Sequence, residues 1–354
     1  MHPTKTRSVI TLIAFFLFAC LANPLKAQQP NLDNPGDYIT AVGKARGDMD
    51  NKYMQYLSAA AHGRRARKIE KLRQEVLDNI NESKYKVTEL PIYKGDNSLR
   101  QGSIDYIKLC YSVFAEDYKK IVNMEELAEQ SVDEMQAYLL LQDKVSEKLN
   151  EASANLEKTT NEFAVKYHVN LVSEKSPLSE KMETAGKLNR YINNVYLAFF
   201  KSNWEDGQMV TAMNNKKVND VEQARSALLS YANEGLKALD TLKSFENDPS
   251  LAAACRQALQ FYKKTAETDV PKLTDFYLKQ EDFAKLKKAF DEKSASSRTK
   301  EEVDAYNKAV KDVNNSVNSF NQTNNMINSN RTQALNNWTD TEKRFADAHM
   351  PHYK

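Results

Sequence analysis

Glycine and proline are scarce, at nine of each in 354 residues; ordinary usage is roughly 7% and 5%. A β-sandwich or barrel turns often and carries more of both. The scarcity therefore excludes a strand-rich fold and favours long helices. Cysteine is rarer still, and three residues cannot make a disulfide scaffold. Neither sign of charge dominates, with 50 Lys and Arg against 48 Asp and Glu, so the whole molecule is no electrostatic nucleic-acid binder. The common signatures of chemistry are missing as well. There is no Gly-x-Ser-x-Gly elbow, no glycine-rich phosphate loop, no EF-hand, no His-Glu-x-x-His and no Glu-x-x-His. No catalytic residue, cofactor or metal ligand is assigned. His349 and His352, two of five histidines, read as a helix-ending tail rather than as ligands.

What is present begins with an export signal. Lys5 and Arg7 precede an uncharged, mostly apolar run from Val9 to Ala22. That run is shorter than the ~20 residues a bilayer requires, but it suits a secretory signal. Leu25-Lys26-Ala27 supplies a cleavage site, so residues 1–27 read as a signal peptide. A competing reading takes Leu17-Phe18-Ala19-Cys20 as a lipobox with Cys20 lipidated. Phe18 is bulky for its slot, and simple cleavage is the favoured alternative. Either way the chain is expected to be exported, to the periplasm or surface of a Gram-negative cell. Cleavage leaves 47 basic and 48 acidic residues. It also leaves Cys110 and Cys255, for which two free thiols and one bridge are equal alternatives.

Helix signals recur along the rest. Asn34-Pro35 reads as a cap followed by proline at the first helical position, opening a helix to about residue 60. A second is expected over 63–85. The loop Leu90-Pro91-Ile92-Tyr93-Lys94-Gly95-Asp96 follows, with Asp96 or Asn97 capping a helix that carries Ile104, Ile107, Tyr111, Phe114 and Tyr118 on one face. No proline falls between Pro91 and Pro177, which leaves room for a helix over about 128–168. Near the end Val303, Tyr306, Val310, Val313, Val317, Phe320, Asn324, Ile327, Arg331, Ala334, Trp338, Thr341 and Phe345 recur at steps of three and four. This is a coiled-coil-like seam. Unbroken from 300 to 349, it makes one helix of about 75 Å.

The second half echoes the first. A shift of 152 residues sets Leu90 on Leu242, Tyr93 on Phe245, Asp96 on Asp248, Ser98 on Ser250, Leu99 on Leu251 and Ile107 on Leu259; a shift of 153 sets Tyr38-Ile39 on Tyr191-Ile192. Matches within a loop carry the most weight, because loops have no helical period to imitate. Pro271, where the first half has Lys119, is expected to kink or end its helix. The expectation is an all-α fold of two tandem, related up-and-down helical bundles with long helices, elongated overall. They are bounded at 28–172 and 178–354.

Three surfaces are candidates for interaction. Arg64, Arg67, Lys68 and Lys71 share one arc of a helix opposite Ile69, Leu72, Val76 and Ile80. The ordinary reading is a wet face; the sharper one is a patch for anionic lipid head groups, a peripheral membrane contact. Ile192, Val195, Tyr196, Phe199 and Phe200 form a bulky stripe, read as core with a partner groove as the alternative. Asn324 and Arg331 make a polar notch in the last seam, read as a register device ahead of a ligand pocket.

The stretch from Leu90 to Arg100, Glu116-Asp117-Tyr118-Lys119-Lys120, and the ending Phe345-Ala346-Asp347-Ala348-His349-Met350-Pro351 together resemble a family of helical exported surface proteins and lipoproteins of Bacteroidota and leptospires. The resemblance implies a cell-envelope location and transfers no catalytic residue. Imelysin-like iron-uptake proteins are also duplicated helical proteins, but their histidine–glutamate motif is missing here. The leading expectation is a non-enzymatic envelope protein with a structural or interaction role, its partner a protein or other envelope component. The alternative is a binding protein holding a small ligand, metal or lipid between helices.

Overall fold

The computed structural model describes residues 31–62, 66–171 and 176–353. Among them there is helix and no β-strand. In order the elements are α1 (Pro35–Ala61), α2 (Ala66–Glu89), α3 (Ser98–Ser112), a π turn (Val113–Asp117), α4 (Tyr118–Ala128), α5 (Val132–Lys166), α6 (Pro177–Asn214), α7 (Val218–Thr241), α8 (Ser250–Lys264), a second π turn (Thr265–Asp269), α9 (Val270–Asp291), a 3-10 turn (Ala295–Ser297) and α10 (Lys300–His349). No described helix is long and apolar enough to cross a membrane.

Local chemistry explains the boundaries. Asn34 caps α1, its Oδ1 accepting from the N–H groups of Gly36 and Asp37 at 2.8 and 3.1 Å, with proline next in line. Ser131 caps α5 through Glu134 N–H at 3.1 Å. α10 runs unbroken for 50 residues, as its seam requires. Its seam deepens along its length: Val303, Tyr306, Val310 and Val313 are half-buried, whereas Ile327, Trp338 and Phe345 are buried.

The chain packs as two compact units. The first comprises Met1–Asn193 with Arg344–Lys354, the second Asn194–Lys343. The division thus falls inside α6 and α10, not in the 173–177 segment expected from sequence. The physical reason is that the start of α6 packs with the first unit. Asn193 donates to Gln142 at 3.1 Å, and Tyr191 stacks on Phe345 at 5.6 Å.

In the first unit Tyr38, Tyr93, Phe163 and Tyr167 form an aromatic cluster, with centroid distances of 4.6 to 5.8 Å. Tyr38 donates to the Pro91 carbonyl at 2.7 Å and Tyr93 to that of Asp33 at 3.0 Å. Asp96 ties the loop down, accepting from Ser98 N–H at 2.9 Å, Lys166 at 2.7 Å and Tyr167 at 3.2 Å. These donors hold its carboxyl well below the usual carboxylate range, the Lys166 bond foremost.

Local geometry recurs at the 152-residue shift. Tyr93 bridges Asp96 and Phe245 bridges Asp248. Between them Lys94 and Gly95 have φ of 46° and 83°, and Glu246 and Asn247 have 47° and 65°, the φ pattern of a type I′ turn. Ser250 N–H meets Asp248 Oδ1 at 2.8 Å, as Ser98 meets Asp96. α3 and α8 each have 15 residues and each leads into a π turn of five. Pro271 does not end its helix. It sits in the first turn of α9, directly after the π turn, where the backbone ladder is already widened. The first half makes the same turn without a proline, so the turn accommodates Pro271 and is not caused by it.

In the second unit Arg331 reaches Asp206 with both Nε and Nη2, the latter at 3.0 Å, and Nη1 reaches Asn328 at 2.6 Å. The Asp206 side chain is 4% exposed and that of Arg331 16%. Asp206→Ala strands this guanidinium and should cost about 3–5 kcal/mol in urea unfolding. The double variant Asp206→Ala/Arg331→Met should recover most of that loss. A single-variant loss under about 1 kcal/mol refutes the assignment of Arg331 as a buried partner of Asp206.

Candidate functional site

One face of α1 departs from the rule that a helix buries side chains against its neighbours. Ile39, Gly43, Arg46, Gly47 and Asp50 follow one another at steps of one to four along that face, and two of the five have no side chain. A Cβ added at Gly43 or Gly47 meets nothing within 4 Å. The space beside them is a cavity of about 450 Å³, walled by α1, by Leu99 and Ser103 of α3, by Ser153, Leu156, Glu157 and Thr160 of α5, by the start of α6 and by Tyr353 of the C-terminal tail. This lies in the size range of small-molecule sites, about 300–1,000 Å³.

Much of the polar wall is already engaged. The hydroxyls of Thr40 and Thr160 donate to carbonyls one turn back, at 2.9 and 2.8 Å. Asn51 donates to the Gly47 carbonyl at 3.1 Å and accepts from the Tyr353 hydroxyl. Lys181 donates to the His352 carbonyl at 3.1 Å. Asp50 and Ser103 differ. They are 8% and 0% exposed, and Asp50 Oδ1 and Ser103 Oγ have no hydrogen-bond partner among the described residues. A buried polar atom left unsatisfied costs ~1–3 kcal/mol. Burial pushes the Asp50 carboxyl up to about 7, with Arg46 opposing it. Behind them, burial also raises the Tyr106 hydroxyl and the Cys110 thiol, which keeps the thiol protonated and unreactive.

The second unit carries bulky side chains at the shifted positions. At the 153-residue shift Gly43, Arg46, Gly47 and Asp50 correspond to Tyr196, Phe199, Phe200 and Asn203. The same shift pairs Tyr38 with Tyr191, which make similar stacks, Tyr38 on Phe163 at 5.8 Å and 27°, and Tyr191 on Phe345 at 5.6 Å and 28°, the latter made by the parts of α6 and α10 that belong to the first unit. Tyr196, Phe199 and Phe200 are buried, and Phe199 stacks on Trp338 at 4.5 Å. Asn203 Oδ1 accepts from the Tyr262 hydroxyl at 2.9 Å. At the 152-residue shift that tyrosine is Cys110 in the first unit, and Ser103 stands where Cys255 donates to the Val195 carbonyl at 3.6 Å. Aromatic bulk and an internal donor are thus both replaced around the cavity.

The residues singled out from sequence lie elsewhere. Arg67, Lys68 and Lys71 are exposed on α2, as expected of a wet face. Lys71 is 3.7 Å from Glu75, and Arg73 pairs with Glu70 at 2.6 Å, so acids interleave the basic run. Arg64 and Cys20 lie outside the described residues. Asn324 is half-buried on α10, and Arg331 is held by Asp206. Of the α6 stripe, Val195, Tyr196, Phe199 and Phe200 are core and Ile192 is half-buried. Cys110 and Cys255 are buried free thiols. The tail brings His352 onto His62, rings 3.7 Å apart, with His62 Nδ1 2.6 Å from Asp347. No three His, Cys, Asp or Glu among the described residues are arranged to hold a metal ion.

Two outcomes test the site. Glycine in a helix interior costs roughly 0.5–1 kcal/mol relative to alanine. Gly43→Ala and Gly47→Ala should therefore each raise stability by about that amount in urea, since the added Cβ meets open space; a loss instead contradicts the cavity. The second concerns pH. Asp50 binds its proton more tightly folded than unfolded, so the parent loses stability as pH rises from about 4 to about 7, by at most ~1.4 kcal/mol per unit. Asp50→Asn lacks that slope and should gain on the parent across this window. A constant difference between the two contradicts a buried, high-pKa Asp50. Comparison with protein families, with curated proteins and with solved structures finds no match to the chain.

Proposed function

We propose that this chain is a non-catalytic binding protein of the cell envelope, holding a small ligand in the cavity of its first unit. The carrying observation is that Gly43 and Gly47 stand where the second unit has Tyr196 and Phe200, beside the unsatisfied Asp50 and Ser103. A merely structural bundle gains nothing from two mid-helix glycines and two orphaned polar atoms. A site awaiting a ligand gains both volume and partners from them. Export is the reading of residues 1–27. The repeated turn, helix lengths and π turns support an internal duplication, with the first copy opened for binding and the second kept filled.

The structural or interaction role expected first from sequence retains one supporting observation. Where α9 and α10 run together, Phe283, Leu286, Phe290, Tyr306, Val310 and Val313 are only half-buried. The cavity supports binding more directly, because it combines shape with unmet hydrogen-bonding.

The test transplants the filled design. Gly43→Tyr/Gly47→Phe carries the side chains of positions 196 and 200 into the first unit. In a thermal-shift screen of a metabolite library, at least one compound at about a hundred times its Kd should raise the parent Tm by roughly 5–10 °C. The double variant should not respond to it. A library that moves neither protein, or both equally, overturns the proposal.

A further inference from the structure

Another surface lies in the second unit and owes nothing to the cavity of the first. It is built by α9 and by residues 300–343 of α10, which belong to that unit. A groove of about 710 Å³ runs between them. Its floor is apolar, made by Phe283 and Leu286 of α9 and by Ala309 and Val313 of α10, and all four are half-buried. The two helices hold each other through their rings. Phe276 meets Phe320 at 4.5 Å, and Tyr306 meets Phe283 at 5.8 Å and Phe290 at 4.2 Å. Two helices cover each other only on the sides that face, so the floor of the groove between them stays partly wet.

The rim on α9 carries charge in a definite order. Lys272, Asp275, Lys279 and Asp282 line the groove and are exposed. Steps of three, four and three set them along one edge of the helix. Their signs run plus, minus, plus, minus. Turned end for end, the series reads minus, plus, minus, plus. Laid antiparallel on a copy of itself about a point at residue 277, this edge sets Lys272 on Asp282 and Asp275 on Lys279. Each pairing then occurs twice. Beside that point stands Leu278, three residues after Asp275 and four before Asp282, with 50% of its surface exposed. In the same arrangement one Leu278 meets the other. Asp312 is the one further charged residue lining the groove; it stands on α10, so the ordered pattern is that of α9 alone.

Part of the alternation serves α9 by itself. Lys279 lies 2.6 Å from Asp275, Lys272 lies 3.8 Å from Asp269, and Lys285 lies 3.8 Å from Asp282. Exposed pairs of this kind are weak and exchange freely, and each carboxylate has a second oxygen to share. An isolated helix pair gains nothing from an exposed leucine at the midpoint of the pattern, nor from the half-buried Phe283 and Leu286 beside it. A second copy accounts for the charge order, the leucine and the floor together. We infer that this face of α9 and α10 is a twofold, antiparallel interface with a second copy of the chain, centred near residue 277. Leu278 packs on Leu278 at its middle, two ion pairs lie on each side, and the α9 of each copy covers the groove of the other. Such an interface is isologous, so it closes as a dimer and does not propagate.

The experiment is sedimentation equilibrium of the full exported chain, taken up to about 200 μM, enough to populate a dimer of micromolar dissociation constant. The parent should pass reversibly from the mass of one chain to that of two. Lys272→Asp/Lys279→Asp makes the edge wholly acidic, and Asp275→Lys/Asp282→Lys makes it wholly basic. Each variant alone should self-associate about tenfold or more weakly than the parent, because like charges now oppose across the axis. Mixed one to one, the two should form a dimer about as tight as that of the parent. Exchanging all four signs at once should restore self-association, and that variant should not pair with the parent. Leu278→Glu, which sets two carboxylates together at the centre, should also lose the dimer. All five positions are exposed, and unchanged circular dichroism checks that each variant keeps its helices. A parent that stays at the mass of one chain overturns the inference, whether or not the groove takes a helix of another protein. A dimer that survives in both half-reversed variants uses another face, and one that does not re-form on mixing them lacks this register; either result overturns it as well. Ligand binding in the first unit plays no part in these measurements, so their failure leaves the binding reading intact.

Discussion

A bundle is stable because each helix presents a continuous apolar seam, and every position on the seam has to be filled by something. At Gly43 and Gly47 the first unit does not fill it. Much of what is distinctive in this unit follows from that gap. With no side chains there, α1, α3 and α5 surround space instead of one another. Arg46 and Asp50, one and two turns from Gly43 on the same face, become wall residues although both are nine-tenths buried or more. Burial then shifts Asp50 toward its neutral form, against the opposing charge of Arg46. Volume, orphaned hydrogen-bonding and a displaced ionisation are thus consequences of the same two substitutions of hydrogen for a side chain.

The two units share one local geometry. Each has a tight turn with two positive-φ residues, an aspartate accepting from the serine that opens the next helix, 15 residues of helix and a π turn. Around that shared frame the second unit stacks Phe199 on Trp338, bonds Tyr262 to Asn203 and neutralises Arg331 with Asp206. Its aromatic bulk is high, one condition for a rigid core, although Ser202, Thr265 and Trp338 each keep a buried polar atom with no hydrogen-bond partner among the described residues. The first unit gives up that bulk at Gly43 and Gly47. Its aromatic cluster of Tyr38, Tyr93, Phe163 and Tyr167, pinned by Asp96 and Lys166, stays tight.

The sequence by itself determined the helices and their ends, because the causes are local. Asn34-Pro35 starts α1 through atoms two and three residues away. The steps of three and four from Val303 to Phe345 force one helix whatever it packs against. The likeness of 90–99 to 242–251 is visible as text and returns as matching backbone angles. Some of the site was legible too: two glycines four apart in a helix, in a chain with only nine, beside an arginine and an aspartate on an otherwise apolar face. Only the tertiary structure decided what those residues meant. A glycine can mark a close helix crossing as easily as a void, and the difference lies in Leu99, Ser103, Ser153 and Leu156, distant in sequence and set back from α1. The same holds for Arg331, whose partner Asp206 is 125 residues away, for His62 against His352, and for the unit boundary inside α6 and α10. Periodicity reports which face of a helix is buried; which helix covers it, and whether the cover is complete, depends on contacts that no local window contains.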